Sequence, residues 1–198
     1  ASTFGKPDTS TATSFFTCSN FLAYGNSLSV VRAVGTAARN AGAGQAVQIK
    51  NEDVYEATYL LAGNSNTYGS FVARYPGTLG NSLEVQVCAT SGLFSSWAYN
   101  SYFTSAPGTS EYATSVNGVA DEMHIVVIDK LGNITGVAGT VLETYGFVSA
   151  ASDAVINGTS NYYKQVIFNN SKYVYVMDPV DYSTTSATWG TTALGKTF

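Results

Sequence analysis

The chain has 198 residues, 45% of them hydrophobic and only 11% charged, and its 9 basic and 13 acidic side chains leave a formal charge of −4. That length and apolar content can bury a real core, as one domain or one large and one small, and they exclude general disorder. The excess of acid, with no cluster of Lys or Arg, disfavours nucleic-acid binding, and no apolar run reaches the roughly 18 to 20 residues of a membrane-spanning helix.

In chain order, Phe15, Phe16, Phe21 and Leu22 recur at helical spacing up to a stop at Gly25-Asn26, and Leu28, Val30 and Val31 then predict a strand. Gly35 to Gly44 is small and Gly/Ala-rich and reads as a linker or loop. Strands are predicted over Ser70 to Tyr75, Leu83 to Ala89, Glu122 to Asp129, Asn133 to Tyr145 and Lys172 to Met177, each rich in Val, Ile or Tyr. Pro76, Gly77 and Gly80 make a tight corner before the second of these. Asp129 to Asn133 supplies the turn of the clearest hairpin.

Thr90 to Val119 reads as a long irregular excursion, the end of Ser152 to Asn169 as a helix, and the Thr-rich stretch after Pro179 as a partly loose tail. The expected fold is α+β: mainly antiparallel sheets, two-layer and sandwich-like, with a few flanking helices. The expected divisions are 1–34 as a helix-strand lead-in, 35–69 as a short linker or insertion, 70–180 as the main sandwich-like domain and 181–198 as the tail.

Reactive chemistry finds little support. His124 is the single imidazole, and alternation places it on one face with Glu122 and Val126, as a sheet-surface residue. A hydrolase reading would use Asp121, Glu122 and His124, yet there is no Gly-x-Ser-x-Gly elbow and no Ser-x-x-Lys motif with supporting elements. Glu52, Asp53 and Glu56 lie together and the remaining acids sit near turns, where carboxylates usually cap or solubilise. One His and two Cys cannot assemble an ordinary zinc site, and Cys18 and Cys88 read as free thiols. Gly77-Thr78-Leu79-Gly80 lacks the Lys-Ser/Thr ending of a phosphate loop. The aromatics Phe94, Trp97, Tyr99, Tyr102 and Phe103 form either a sugar-stacking or docking platform, as in a carbohydrate-binding or adhesive β domain, or a loop folded onto its own core. No residue is assigned as catalytic, cofactor-binding or metal-binding.

Taken together and in order, TFGKP (Thr3 to Pro7), NFLAYGN, LSVVRAV, RYPGTLGNSLEVQV, EMHIVVIDKLGNITGVAGTVLETY and NYYKQVIFNNSKYVYV resemble the tail sheath proteins of contractile-tailed bacteriophages of the T-even type. The resemblance spans most of Thr3 to Asp178. It implies a non-enzymatic structural subunit in the virion tail, assembled in the host cytoplasm as a helical homo-oligomer around the tail tube. Such a sheath contracts when the baseplate is triggered and drives the tube through the host envelope. Its partners would be other copies of itself, the tube and the baseplate, with no nucleic acid contacted directly, no membrane insertion and no cofactor.

Two departures from the family matter. Between Val34 and Ser70 the T-even relatives carry a sizeable inserted domain, replaced here by about 35 residues. The N-terminal arm and long C-terminal region that link such subunits into a mesh are also expected to be missing. The chain therefore reads as a truncated piece that folds, stays monomeric in isolation and does not polymerise.

Overall fold

The computed structural model describes residues 7–60 and 67–177, together with the backbone of 196–197. Most of TFGKP and nearly all of the Thr-rich tail lie outside the described residues. The regular elements are helix α1 (Ala12–Tyr24), helix α2 (Glu52–Tyr55) continued by a π-helical turn (Glu56–Leu60), and strand β1 (Phe71–Ala73). A 3-10 turn (Thr78–Ser82) leads into β2 (Leu83–Cys88), followed by α3 (Ser91–Phe94), α4 (Glu111–Ser115), β3 (Glu122–Asp129) and β4 (Thr140–Ser149). The ribbon β5 (Val155–Ile156) and β6 (Thr159–Ser160), helix α5 (Tyr163–Asn170), β7 (Val174–Val176) and β8 (Lys196–Thr197) complete the order.

The architecture is α+β, built on antiparallel sheets as expected. Four strands pair in the order β4-β3-β2-β8, and β1 pairs with β7 in a second, smaller ladder. Period-2 alternation divides the larger sheet: Leu83, Val85 and Val87 with Met123, Ile125 and Val127 face the main core, whereas Cys88, Val126 and Ile128 face the other way. Across the main core lie Phe71 and Ala73 of β1, Val174 and Val176 of β7, and Tyr163 and Ile167 of α5. The β1–β7 ladder serves two cores, because Val72, Tyr175 and the following Met177 turn to its back, where Val47, Ile49, Tyr55 and Leu60 cover them.

Polar side chains lock this second layer in place. Asn40 is buried, donates from Nδ2 to Ala73 O at 2.8 Å and accepts from Ile49 N at 2.7 Å. Tyr55 stacks on Tyr175 with ring centroids 4.0 Å apart and donates its hydroxyl to Val176 O. The corner read at Pro76 to Gly80 is present. A Cβ on Gly80 would lie 2.6 Å from Ala73 Cβ and 2.9 Å from Ala41 Cβ, so the turn packs closer to its neighbours than any side chain would permit.

Several expectations need correction. The run Leu28 to Val31 joins no ladder among the described residues. The strand read from Asn133 begins only at Thr140. Residues 130–139 instead form a loop wrapped around the Asp129 carboxylate, which accepts from Ser82 Oγ, Ile134 N, Thr135 N and Thr135 Oγ1. Those bonds offer the backbone an alternative to the ladder, and although burial opposes ionisation they hold the carboxyl below the ordinary range. His124 is not on the surface; it is fully buried beneath the 91–103 loop.

Candidate functional site

Among the described residues the acids and the imidazole share no common hydrogen-bonded site. Asp121 accepts from Ser110 N and Ser110 Oγ, both at 2.7 Å, and from Ser149 Oγ. Glu122 accepts from Gly108 N at 3.0 Å, and burial raises its pKa. Glu52 pairs with Arg74 at 2.6 Å, and Glu143 accepts from Ser171 Oγ and Lys172 N, each at 2.7 Å. Each of these carboxylates holds a turn, a loop or a neighbouring strand. Among the described residues no group of three or more His, Cys, Asp or Glu is placed to hold a metal ion, and both cysteines are free thiols.

His124 is fixed as a structural group in a defined tautomer. The N–H of Phe147 donates to Nδ1 at 3.1 Å, so the ring proton sits on Nε2, which lies 2.8 Å from Ser105 O and donates to it. The ring stacks on Phe103 at 4.2 Å and meets Phe147 edge-on at 4.6 Å. Burial pushes its pKa down. Opposite it, β3 and β4 slip register: Met123 pairs with Val148 and Ile125 with Tyr145, which leaves Gly146 and Phe147 as a two-residue bulge. Phe147 adopts φ +55° there, and the imidazole takes up the amide that the bulge removes from the ladder.

The aromatic cluster is mostly interior. Trp97 is buried and stacks on Phe103 at 5.6 Å, and Leu93, Phe94, Tyr99 and Phe103 pack over Cys88, Val126 and Ile128. Only Tyr102 of the five rings is more than half exposed. The loop closes the outer face of the main sheet as a second small core.

The surface that stands out lies at the other end of the chain. Asp8 accepts from Ser10 N, Thr11 N and Thr11 Oγ1, which organises the turn ahead of α1 and lowers the Asp8 pKa. Yet no residue of α1 is buried. Phe16, Phe21, Leu22 and Tyr24 are half or more exposed, as are Val30 and Val31 beyond the helix, with Tyr24 and Val31 each 96% exposed. The stretch after α1 is tethered to the body by Arg32, whose guanidinium donates to Pro76 O, and by Gln48, which donates to Gly35 O and Ala38 O. Contiguous exposed apolar side chains of this kind are uncommon on the free surface of a soluble protein. The sequence pattern located the helix and its stop but not its exposure, since apolar spacing reports which residues seek cover and not what covers them.

The described residues form an α+β body on which the apolar side chains of α1 and of the stretch after it are exposed. No protein-family model matches the chain. The chain is similar to the tail sheath protein of Salmonella phage ViI, with 35% identity over 158 residues, which is 79% of this chain. The resemblance read from the motifs is thus borne out, although the match spans only 22% of the relative's length.

Proposed function

We propose that this chain is a structural part of a contractile tail sheath, acting without catalysis as a rigid body in a helical array of identical copies. The similarity to a tail sheath protein over 158 residues carries the reading, and the arm formed by residues 12–35 supports it, because its uncovered apolar side chains suit a neighbouring copy. In a helical array each subunit presents one patch to a different patch on the next, and an arm meeting a body satisfies that requirement. Contraction then proceeds by re-seating subunits at interfaces while the body, closed by stacked cores, keeps its shape.

The tube and the baseplate would be its other partners, and genome ejection into the host the outcome. In dilute solution the isolated chain stays monomeric. Electron-microscopy reconstructions of the parent phage tail, before and after contraction, test this reading. The fold should fit the sheath layer in both states, with residues 12–35 against an adjacent copy. Finding the fold only in fibre or baseplate density, or α1 folded back on its own body, would overturn it.

A further inference from the structure

Asn-Gly pairs occur twice in the described residues, at Asn117-Gly118 and Asn157-Gly158, with similar apolar residues preceding each. Both asparagines take left-handed backbone angles, φ +58° and +52°, yet the fold treats the following amides differently. After α4 the Gly118 N–H donates to Ala113 O at 2.7 Å, and a Cβ added there would meet that same oxygen at 3.3 Å. This amide is held in a closed helix end.

At Asn157-Gly158 the pair forms the two-residue turn of the β5–β6 ribbon, where Ile156 pairs with Thr159 and Gly158 adopts φ +79°. Both turn residues are exposed, and a Cβ on Gly158 would have no atom within 4 Å. Among the described residues the Gly158 N–H has no hydrogen-bond partner. The ribbon is only two residue pairs long, so it opens at little cost.

We infer that Asn157 is a site of spontaneous, conformation-gated deamidation, whereas Asn117 is shielded by its helix end. The deprotonated Gly158 nitrogen attacks the Asn157 side-chain carbonyl carbon, forming a C–N bond. The amide nitrogen leaves as ammonia, carrying the proton lost from Gly158. Water then opens the cyclic imide at either carbonyl, giving aspartate or isoaspartate, so the net change is Asn plus water to acid plus ammonia. The product adds one negative charge at the ribbon tip beside exposed Val155 and Ile156.

The test is incubation of the purified chain in mildly alkaline buffer, followed by tryptic peptide mass analysis and isoaspartate detection with a methyltransferase. Cleavage after Arg74, Lys130 and Lys164 places the two sites on separate peptides. In the native protein Asn157 should convert about tenfold faster than Asn117, the factor expected from one well-made backbone hydrogen bond. In denaturant the two rates should converge. Asn157→Gln should abolish conversion in its peptide without altering the rate at Asn117. Native conversion at Asn117 equal to or faster than at Asn157 would overturn the inference, and so would a difference that persists unfolded.

Discussion

Replacing His124 isolates what one buried imidazole does for the β4 bulge. In His124→Phe a ring still fills the stack on Phe103, but the Phe147 N–H and the Ser105 carbonyl both lose their partner. Each hydrogen bond is worth about 1 kcal/mol net and an orphaned donor about 1 to 3 kcal/mol, so the expected loss is roughly 2 to 4 kcal/mol. His124→Gln retains one donor and one acceptor and should lose less. Urea unfolding followed by tryptophan fluorescence reads both, because Trp97 stacks on Phe103 above the same site.

The pH dependence of the same variants separates hydrogen bonding from packing. Burial holds the folded His124 below its ordinary pKa of 6.5. Above that value the imidazole is neutral in both states and its stabilisation is fully present. As pH falls through the unfolded value the unfolded chain binds a proton that the folded chain refuses, and stability declines until the folded pKa is passed. With one His in the sequence, this decline should be present in the parent chain and absent from His124→Gln between about pH 7 and 5. Parallel pH profiles, or a loss under 1 kcal/mol in His124→Phe, would refute the reasoning.

Further outcomes test other parts of the structure. Asp129→Ala should cost about 3 to 5 kcal/mol in urea unfolding, since it orphans donors from Ser82, Ile134 and Thr135. With its folded pKa depressed, Asp129 contributes stability above the unfolded carboxylate value that disappears as pH falls through the folded one, so the variant's deficit should shrink in strong acid. Gly80→Ala should destabilise by roughly 1 to 3 kcal/mol through overlap with Ala73 and Ala41, whereas Gly92→Ala in α3, with open space around it, should be neutral or stabilising by up to about 1 kcal/mol; thermal melts compare them. Trp97→Ala should lose about 3 to 5 kcal/mol of stability, and a glycan array should show no binding by the parent chain that the variant loses. In sedimentation at rising concentration, any self-association of the parent chain should weaken in Phe16→Ser/Val31→Asp, whose melting temperature stays unchanged because both positions are exposed.

The fold was legible where a residue's partners follow from its spacing. β3 occupies the predicted residues Glu122 to Asp129, because an unbroken apolar run bounded by turn residues has few other uses. β4 was displaced because the Asp129 carboxylate organises residues 134 and 135 through side-chain bonds that apolar alternation does not register. Period-2 spacing gave the face of His124 correctly but not its depth, which depends on a loop some 20 to 30 residues earlier folding over it. The strand expected at Leu28 to Val31 has the right residues, but among the described residues no strand pairs with it, and strand propensity alone does not register a missing partner. Of the acids read near turns, Asp121 and Glu122 accept from Ser110 N and Gly108 N, donors 11 and 14 residues away, so they tie a loop to the strand rather than cap a local turn.

The β1–β7 ladder has a mechanical meaning. Phe71 lies opposite Val176, so the chain enters one strand and leaves the other at the same end. Tension drawn between the two flanking lengths would therefore peel the pair apart one rung at a time, the weakest direction for such a joint. That end is also where Met177 N donates to Ser70 O, the Tyr55 hydroxyl grips Val176 O and the buried Lys164 ammonium reaches Met177 O. The rivets sit where tearing would begin.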